Sequence, residues 1–266
     1  MNKINFPKKI NTSDLNSFFK RLNFEKIISE SNSPNQKINQ LEMNRQFKPE
    51  LMDLYRLYQF VILNKRTTIL EFGSGWSTII FAKALNELKQ KFSKYRKFLR
   101  RNNFCELFVL ENEKKFLNLT KKNLNYFKKS TELCKVHFHF TDLHMTTFNG
   151  LISTEYKKLP ICNPDFIYLD GPGQFSAKGN INGINTNHYD LVPMACDILK
   201  IEFFLIPGTI ILVDGRSANA EFLKYNLKRK WSYVYHSEFD QHVFHLKEKS
   251  WGYVNDRLLN YYKKKQ

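Results

Sequence analysis

The sequence lacks the features that mark several classes of protein. Its four cysteines are widely spaced and form no C-x-x-C pair, which argues against a zinc site and against a disulfide framework. No apolar run reaches the roughly 20 residues that cross a bilayer, and the first residues show no signal-peptide pattern. We therefore predict a cytoplasmic protein with free cysteines and no transmembrane segment.

Acidic residues are scarce relative to basic ones. The chain of 266 residues has 25 Asp and Glu against 42 Lys and Arg, a net charge of +17. Such an excess is expected of a nucleic-acid-binding protein, but it also accompanies the Lys-, Asn- and Ile-rich composition that an A/T-rich coding sequence produces. The densest cluster, called here the basic segment, is residues 89–101, with Lys89, Lys91, Lys94, Arg96, Lys97, Arg100 and Arg101. Apolar residues interleaved with these charges predict an amphipathic helix.

The apolar and aromatic content, 42% and 15% of residues, indicates a folded chain. Residues 1–66 are predicted to form a helical arm, with helices at Asp14–Ser29 and Pro49–Leu63, because apolar residues recur there at helical intervals. We expect a main domain at residues 67–247 and a C-terminal tail at residues 248–266, whose last residues, YYKKKQ, form a solvated end.

Short apolar runs alternate with helical segments in the main domain. The predicted strands are 68–72, 107–110, 136–140, 166–169, 209–213, 231–235 and 241–246. The predicted helices are 77–88, 113–127, 189–203 and 218–228. Strands that are apolar on both faces and separated by helices indicate a parallel sheet covered on each side. The last two strands are too close in sequence for a parallel crossover, so the last strand is predicted to be antiparallel.

Glycines and a carboxylate lie where the first strand turns into a helix. Gly73 and Gly75 allow a tight turn that approaches a ligand, and the following helix directs free N–H groups into the same space. The third glycine of the dinucleotide motif G-x-G-x-x-G is replaced by Thr78. A carboxylate at Glu71 would repel a pyrophosphate but suits a ligand with an ammonium group.

Acidic residues also follow the next three strands. Glu111 ends the second strand, where a carboxylate can accept hydrogen bonds from both ribose hydroxyls. Asp142 follows the third strand and Asp170 the fourth. Ligands of open parallel sheets bind just beyond the carboxyl ends of the strands, so these carboxylates predict a ligand-binding edge.

With these motifs, residues 67–247 resemble the class I S-adenosylmethionine-dependent methyltransferases. The resemblance implies an α/β, Rossmann-like, seven-stranded and mostly parallel sheet with an antiparallel last strand and helices on both faces, to which the predicted N-terminal helical arm is added. It implies that the turn of Glu71, Gly73, Ser74 and Gly75 holds the methionine end of S-adenosylmethionine. It also implies that Glu111 holds the ribose and that Asp142 lies near the adenine.

The residues after the fourth strand bear on the identity of the methyl acceptor. The motif NPPY or DPPY of base-amine methylation is absent, and residues 170–173 are DGPG instead. Related catechol-type enzymes hold a divalent cation with carboxylates matched here by Asp170 and Asp214, but Gly215 replaces their asparagine, so we do not predict a metal site. Without a metal, Asp170 or His188 is the predicted general base. The polar loop 171–188 suits a polyhydroxylated acceptor.

We therefore expect methyl transfer from S-adenosylmethionine to oxygen on a small molecule or saccharide. The alternatives are an RNA-directed methyltransferase that uses the basic segment, a non-catalytic nucleotide-binding module, and an aminopropyl transferase. An acidic ligand-binding edge disfavours a nucleic-acid partner. The oligomeric state is not predicted.

Overall fold

The computed structural model of the chain describes residues 3–33 and 47–264. The helices are α1 (Thr12–Arg21), α2 (Glu25–Asn32), α3 (Leu51–Leu63), α4 (Trp76–Phe92), α5 (Arg96–Leu99), α6 (Lys114–Phe127), α7 (Asp197–Ile201), α8 (Ser217–Asn226) and α9 (Tyr253–Lys263). The strands are β1 (Thr68–Phe72), β2 (Glu106–Glu111), β3 (Lys135–Phe140), β4 (Leu143–Phe148), β5 (Leu151–Tyr156), β6 (Phe166–Leu169), β7 (Ile210–Asp214), β8 (Trp231–His236) and β9 (Gln241–Leu246).

A seven-stranded sheet in the order β3-β2-β1-β6-β7-β9-β8 forms the centre of the molecule. The pairs from β3 to β7 are parallel, and β9 is antiparallel to both β7 and β8. The predicted fold, including the antiparallel last strand, is therefore confirmed. All parallel strands end at one edge, called here the carboxyl edge, and begin at the opposite amino edge.

The sheet is buried on both faces because its central strands are apolar at most positions. In β1, Ile69 packs into one core with the N-terminal helices, α4, α6 and α9, while Leu70 packs into a second core with α7 and α8. Alternation of neighbouring side chains between the faces is the ordinary geometry of a strand. Helices cover each face, as the sequence predicts.

The N-terminal helices pack against the sheet but differ from their prediction. The helix expected over Asp14–Ser29 is two helices, because Asn23 adopts a left-handed conformation (φ 60°) that ends α1. The helix predicted at Pro49–Leu63 is confirmed as α3. Arg56 of α3 is buried, with its guanidinium 3.3 Å from the centre of the Phe239 ring and a hydrogen bond to the Pro7 carbonyl.

The basic segment is not one amphipathic helix. Its first residues extend α4 to Phe92, a short 3-10 turn follows, and α5 ends where Arg100 adopts a left-handed conformation (φ 50°). The segment lies at the amino edge, since α4 runs back from the carboxyl end of β1.

One further helix is shorter than predicted, and one hairpin was not predicted. The helix predicted over 189–203 is limited to α7 and a 3-10 turn, because Pro193 cannot donate a helical hydrogen bond. The hairpin of β4 and β5 was not predicted, although Asn149 and Gly150, both at positive φ, form its turn.

The solvated end expected at YYKKKQ is only partly solvated in its described part, because α9 buries Tyr261 and Tyr262 while Lys263 and Lys264 are exposed. The predicted arm at 1–66 and tail at 248–266 both include residues outside the described ranges, and their boundaries stay predictions. No helix within the described ranges is long and apolar enough to span a membrane.

Candidate active site

The turn between β1 and α4 lies directly beside the end of β6. Gly73 has φ 97°, which favours glycine, and its N–H donates to the Leu110 carbonyl. A Cβ atom at Gly171 would lie 2.7 Å from the Gly73 nitrogen. The two loops therefore touch through backbone atoms, which only glycine at both positions permits. Sequence reasoning found Gly73 but gave no role to Gly171.

Glu71 lies under this turn and is fully buried. Its carboxylate oxygens accept hydrogen bonds from Ser77 Oγ (2.5 Å) and Thr78 Oγ1 (2.8 Å), both in the first turn of α4. Burial raises the pKa of Glu71 to about 8, although these two hydrogen bonds act in the opposite direction. The side chain thus fixes the helix to the strand and is largely protonated at neutral pH.

Glu111 at the end of β2 is buried and held in place. Its Oε1 accepts hydrogen bonds from the backbone N–H groups of Asn112 (2.9 Å) and Glu113 (2.8 Å), and its Oε2 accepts one from Ser74 Oγ (2.7 Å). Burial raises its pKa. The structure thus brings together Ser74 and Glu111, which the sequence assigned to one ligand.

Buried polar atoms without partners lie beside this pair. Within the described ranges, neither Asn112 Oδ1 nor the Tyr156 hydroxyl has a hydrogen-bond partner. Burial, followed by the charge of Glu111, raises the pKa of Tyr156 well above its usual value, so the hydroxyl stays neutral. Unpaired buried groups of this kind fit a ligand with several polar atoms, such as a nucleoside.

Asp142 is only partly buried, unlike Glu71 and Glu111. It pairs with Lys178 (2.7 Å between Oδ1 and Nζ), and this lysine lowers the pKa of Asp142. Backbone hydrogen bonds between Lys178 and both Leu143 and Met145 join the polar loop 171–188 to the hairpin. Asp142 thus contacts that loop through Lys178.

A second group of carboxyls surrounds Asp170. Although part of the Asp170 side chain reaches solvent, protein atoms crowd its carboxyl group, and this burial together with the charge of Asp214 raises its pKa to about 7. Asp214 accepts a hydrogen bond from the Tyr168 hydroxyl (2.6 Å), and burial raises its pKa. Arg216 donates to the Pro172 carbonyl (2.5 Å), and its charge lowers the pKa of Asp170.

Asp53 of α3 also belongs to this group, which sequence reasoning missed. Burial raises its pKa to about 7, and the charges of Glu50 and Asp214 contribute. The only signal was the acidic first turn of α3, because nothing in the sequence showed that this helix would reach the carboxyl edge.

The contacts of His188 are made outside this group of carboxyls. Its ring is exposed, its Nδ1 accepts a hydrogen bond from the Asp190 N–H (3.2 Å), and Asp190 Oδ2 lies 3.9 Å away. Among residues 3–33 and 47–264, no hydrogen bond or ion pair joins His188 to Asp170. No group of three His, Cys, Asp or Glu side chains in these ranges is arranged to hold a metal ion.

A cleft of about 630 Å³ lies elsewhere, at the amino edge. None of the predicted site residues lines it. We assign the candidate active site to the carboxyl edge, because the buried and electrostatically perturbed carboxyls are found there.

No protein-family model and no curated protein matches this sequence. Similar solved structures include an SAH-bound methyltransferase of Podospora anserina, with 13% identity, 91% of this chain and 99% of that chain covered, and a TM-score of 0.48. An O-methyltransferase of Bacillus cereus in complex with SAH has 12% identity, coverage of 91% and 92%, and a TM-score of 0.38. The O-methyltransferase TomG of Streptomyces achromogenes, in complex with SAM, has 12% identity, coverage of 86% and 98%, and a TM-score of 0.42.

Proposed function

We propose that the chain binds S-adenosylmethionine at the carboxyl edge and methylates an oxygen of a small molecule or saccharide. The observation that carries this proposal is the buried Glu111 carboxylate, fixed by two backbone N–H groups and bonded to Ser74 of the glycine turn. A carboxylate held in this way suits the two hydroxyls of a ribose. Gly73 and Gly75 leave room for the methionine end above Glu71, and Asp142 is assigned to the adenine side.

When bound, S-adenosylmethionine supplies an electrophilic methyl group. The chain holds the acceptor in line with that group, which is the main source of rate in this chemistry. Asp170 would take the proton from the acceptor hydroxyl. Its pKa of about 7 suits a base at neutral pH. His188 is the second candidate base and would need the loop 171–188 to bring it to the acceptor.

The basic segment does not support an RNA acceptor, because it lies at the amino edge, away from these carboxyls. The competing proposal of a non-catalytic module is tested by ligand binding. We expect calorimetry to detect binding of both S-adenosylmethionine and S-adenosylhomocysteine. Glu111→Gln should weaken binding by at least about tenfold, since hydrogen bonds to a charged group are lost.

Glu30→Gln is the matched control, because Glu30 is exposed on α2 and should bind like the wild type. If the wild-type chain binds neither ligand at millimolar concentration, the proposed function is wrong. Once a panel of hydroxylated acceptors gives turnover, Asp170→Asn and His188→Gln distinguish the two bases, with exposed Glu30→Gln again as control.

A further inference from the structure

The amino edge of the sheet carries an exposed apolar surface around the 630 Å³ cleft. Ile161, Phe204, Trp251 and Val254 all line this cleft, and they expose 99%, 76%, 51% and 39% of their surface. They come from three separate stretches of chain, so the patch is formed by the fold and not by one loop. Large apolar side chains grouped in this way mark an interaction site.

The apolar patch continues toward α5 and α9. The guanidinium of Arg257 lies 3.9 Å from the ring centre of Tyr253 and 4.6 Å from that of Phe98, and both rings are exposed. Phe203, next to Phe204, is also exposed. We call this patch, together with the basic segment, the amino-edge surface.

Positive charge borders the patch on the side of the basic segment. Arg100 and Arg101 line the cleft itself, and Arg96 and Lys97 are exposed on α5. Within the described ranges, no carboxylate forms an ion pair with any basic side chain of residues 89–101. Arg101 is bonded only to neutral oxygens, Thr68 Oγ1 and the Asn163 carbonyl. The charge of the segment is therefore available to an external anion.

We propose that the amino-edge surface docks on an anionic lipid bilayer. Exposed apolar side chains enter the boundary between headgroups and acyl chains, while lysines and arginines bind anionic headgroups. Tryptophan and tyrosine, here Trp251 and Tyr253, are typical of that boundary. Aliphatic side chains such as Ile161 and Val254 favour a bilayer over RNA, because they offer no ring on which a base can stack.

Docking in this orientation leaves the carboxyl edge open to water. The proposal is therefore independent of the methyltransferase function and does not depend on any ligand at the candidate active site. The proposal also gives the basic segment a role, binding anionic headgroups, that the proposed methyltransferase function does not give it.

The test is co-sedimentation of the full chain with vesicles of phosphatidylcholine containing about one-third phosphatidylglycerol, at low and at raised salt. We expect binding to these vesicles, weaker binding at raised salt, and little binding to pure phosphatidylcholine. Arg96→Glu with Lys97→Glu should weaken binding at least about 20-fold, since each basic residue near an anionic surface contributes about fivefold. Ile161→Asp with Phe204→Asp should also weaken binding to the anionic vesicles, by at least about tenfold.

Matched controls carry the same changes on other surfaces. Lys114→Glu with Lys122→Glu changes the charge equally on α6, and Leu151→Asp places a charge at an exposed apolar position of the hairpin. These variants should stay within about twofold of the wild type. All of the substituted side chains are exposed, and circular dichroism checks that each variant is folded.

Three results would overturn the proposal: no binding to anionic vesicles, equal loss of binding in the control variants, or release of the chain from vesicles by single-stranded RNA at stoichiometric concentration. The last result would assign the surface to RNA.

Discussion

At the residue scale, the candidate site depends on carboxyl groups whose pKa values are raised by burial. Glu71 reaches about 8, and Asp170 and Asp53 each reach about 7. The sequence predicted the positions of Glu71, Glu111, Asp142 and Asp170 because strand ends in a parallel sheet meet at one edge. It could not predict their protonation, since burial depends on neighbours that are distant in sequence.

Proton release tests the role of Glu71. At pH 7 a group with a pKa of about 8 is about nine-tenths protonated, and a cationic ligand favours its ionised form. Binding of S-adenosylmethionine should therefore release close to one proton more from the wild type than from Glu71→Gln. Calorimetry in buffers of different ionisation enthalpy measures this number. Equal proton release by the two proteins would show that the ligand's charge does not reach Glu71.

The titration of Asp170 can be examined without any ligand. Asp214→Asn removes a negative charge that raises the pKa of Asp170, so the pKa should fall. Arg216→Gln removes a positive charge that lowers it, so the pKa should rise. Carboxyl-carbon NMR follows both changes, with exposed Asp190→Asn as a control that should leave the pKa unchanged. Movement of the pKa in the same direction in both variants would contradict this arrangement of charges.

At the element scale, the parallel strands were predictable and the connections were not. Continuous apolar runs such as Phe166–Leu169 are typical of strands buried on both faces, and this run is buried at every position. The β4–β5 hairpin was missed because its strands are only half buried and look polar in sequence, although Asn149–Gly150 was a visible turn signal. The break of the basic segment into short helices could not be predicted either, because the left-handed residue that ends α5 is Arg100 and not a glycine.

The contact between the loops after β1 and β6 predicts a strong effect of one methyl group. In Gly171→Ala the new Cβ would lie 2.7 Å from Gly73 N and 2.9 Å from Gly73 Cα, so the two loops must separate. We expect a loss of about 1–3 kcal/mol in the free energy of unfolding, the usual range for overpacking, together with weaker binding of S-adenosylmethionine.

Gly173→Ala is the matched control, because its Cβ would meet only Ser176 Oγ, at 3.4 Å. Chemical denaturation should show a change within about 0.5 kcal/mol for this variant. Equal stability of the two variants would mean that the loops tolerate separation.

At the scale of the whole molecule, opposite edges of the sheet carry different chemistry. Buried and partly protonated carboxyls gather at the carboxyl edge, whereas the unpaired positive charge of residues 89–101 lies at the amino edge. The net charge of +17 therefore describes neither edge. Sequence reasoning found the acidic edge because parallel strands end at one edge of a sheet, and it missed the apolar patch because that patch is assembled from three distant stretches.

The segment between α3 and β1 also meets the C-terminal helix at the amino edge, around the buried carboxylate of Asp165. This group accepts hydrogen bonds from Thr67 N–H, Thr67 Oγ1 (2.7 Å) and, from α9, the Tyr262 hydroxyl (2.6 Å). Lys65, which follows α3, donates to the Tyr262 carbonyl (3.1 Å). The N-terminal helices, the sheet and α9 are thus connected through one polar cluster, and we expect them to unfold as a unit.

Tyr262→Phe tests this connection by removing one hydroxyl. Asp165 then loses a buried donor, which should cost about 1–3 kcal/mol in the free energy of unfolding, while the remaining bonds keep the cluster in place. Tyr253→Phe is the control, because Tyr253 is exposed, and it should leave stability unchanged. Denaturation followed by both tryptophan fluorescence and circular dichroism should give one coincident transition for each protein. Two transitions, with α9 melting first in Tyr262→Phe, would show instead that the C-terminal helix is an independent addition to the sheet.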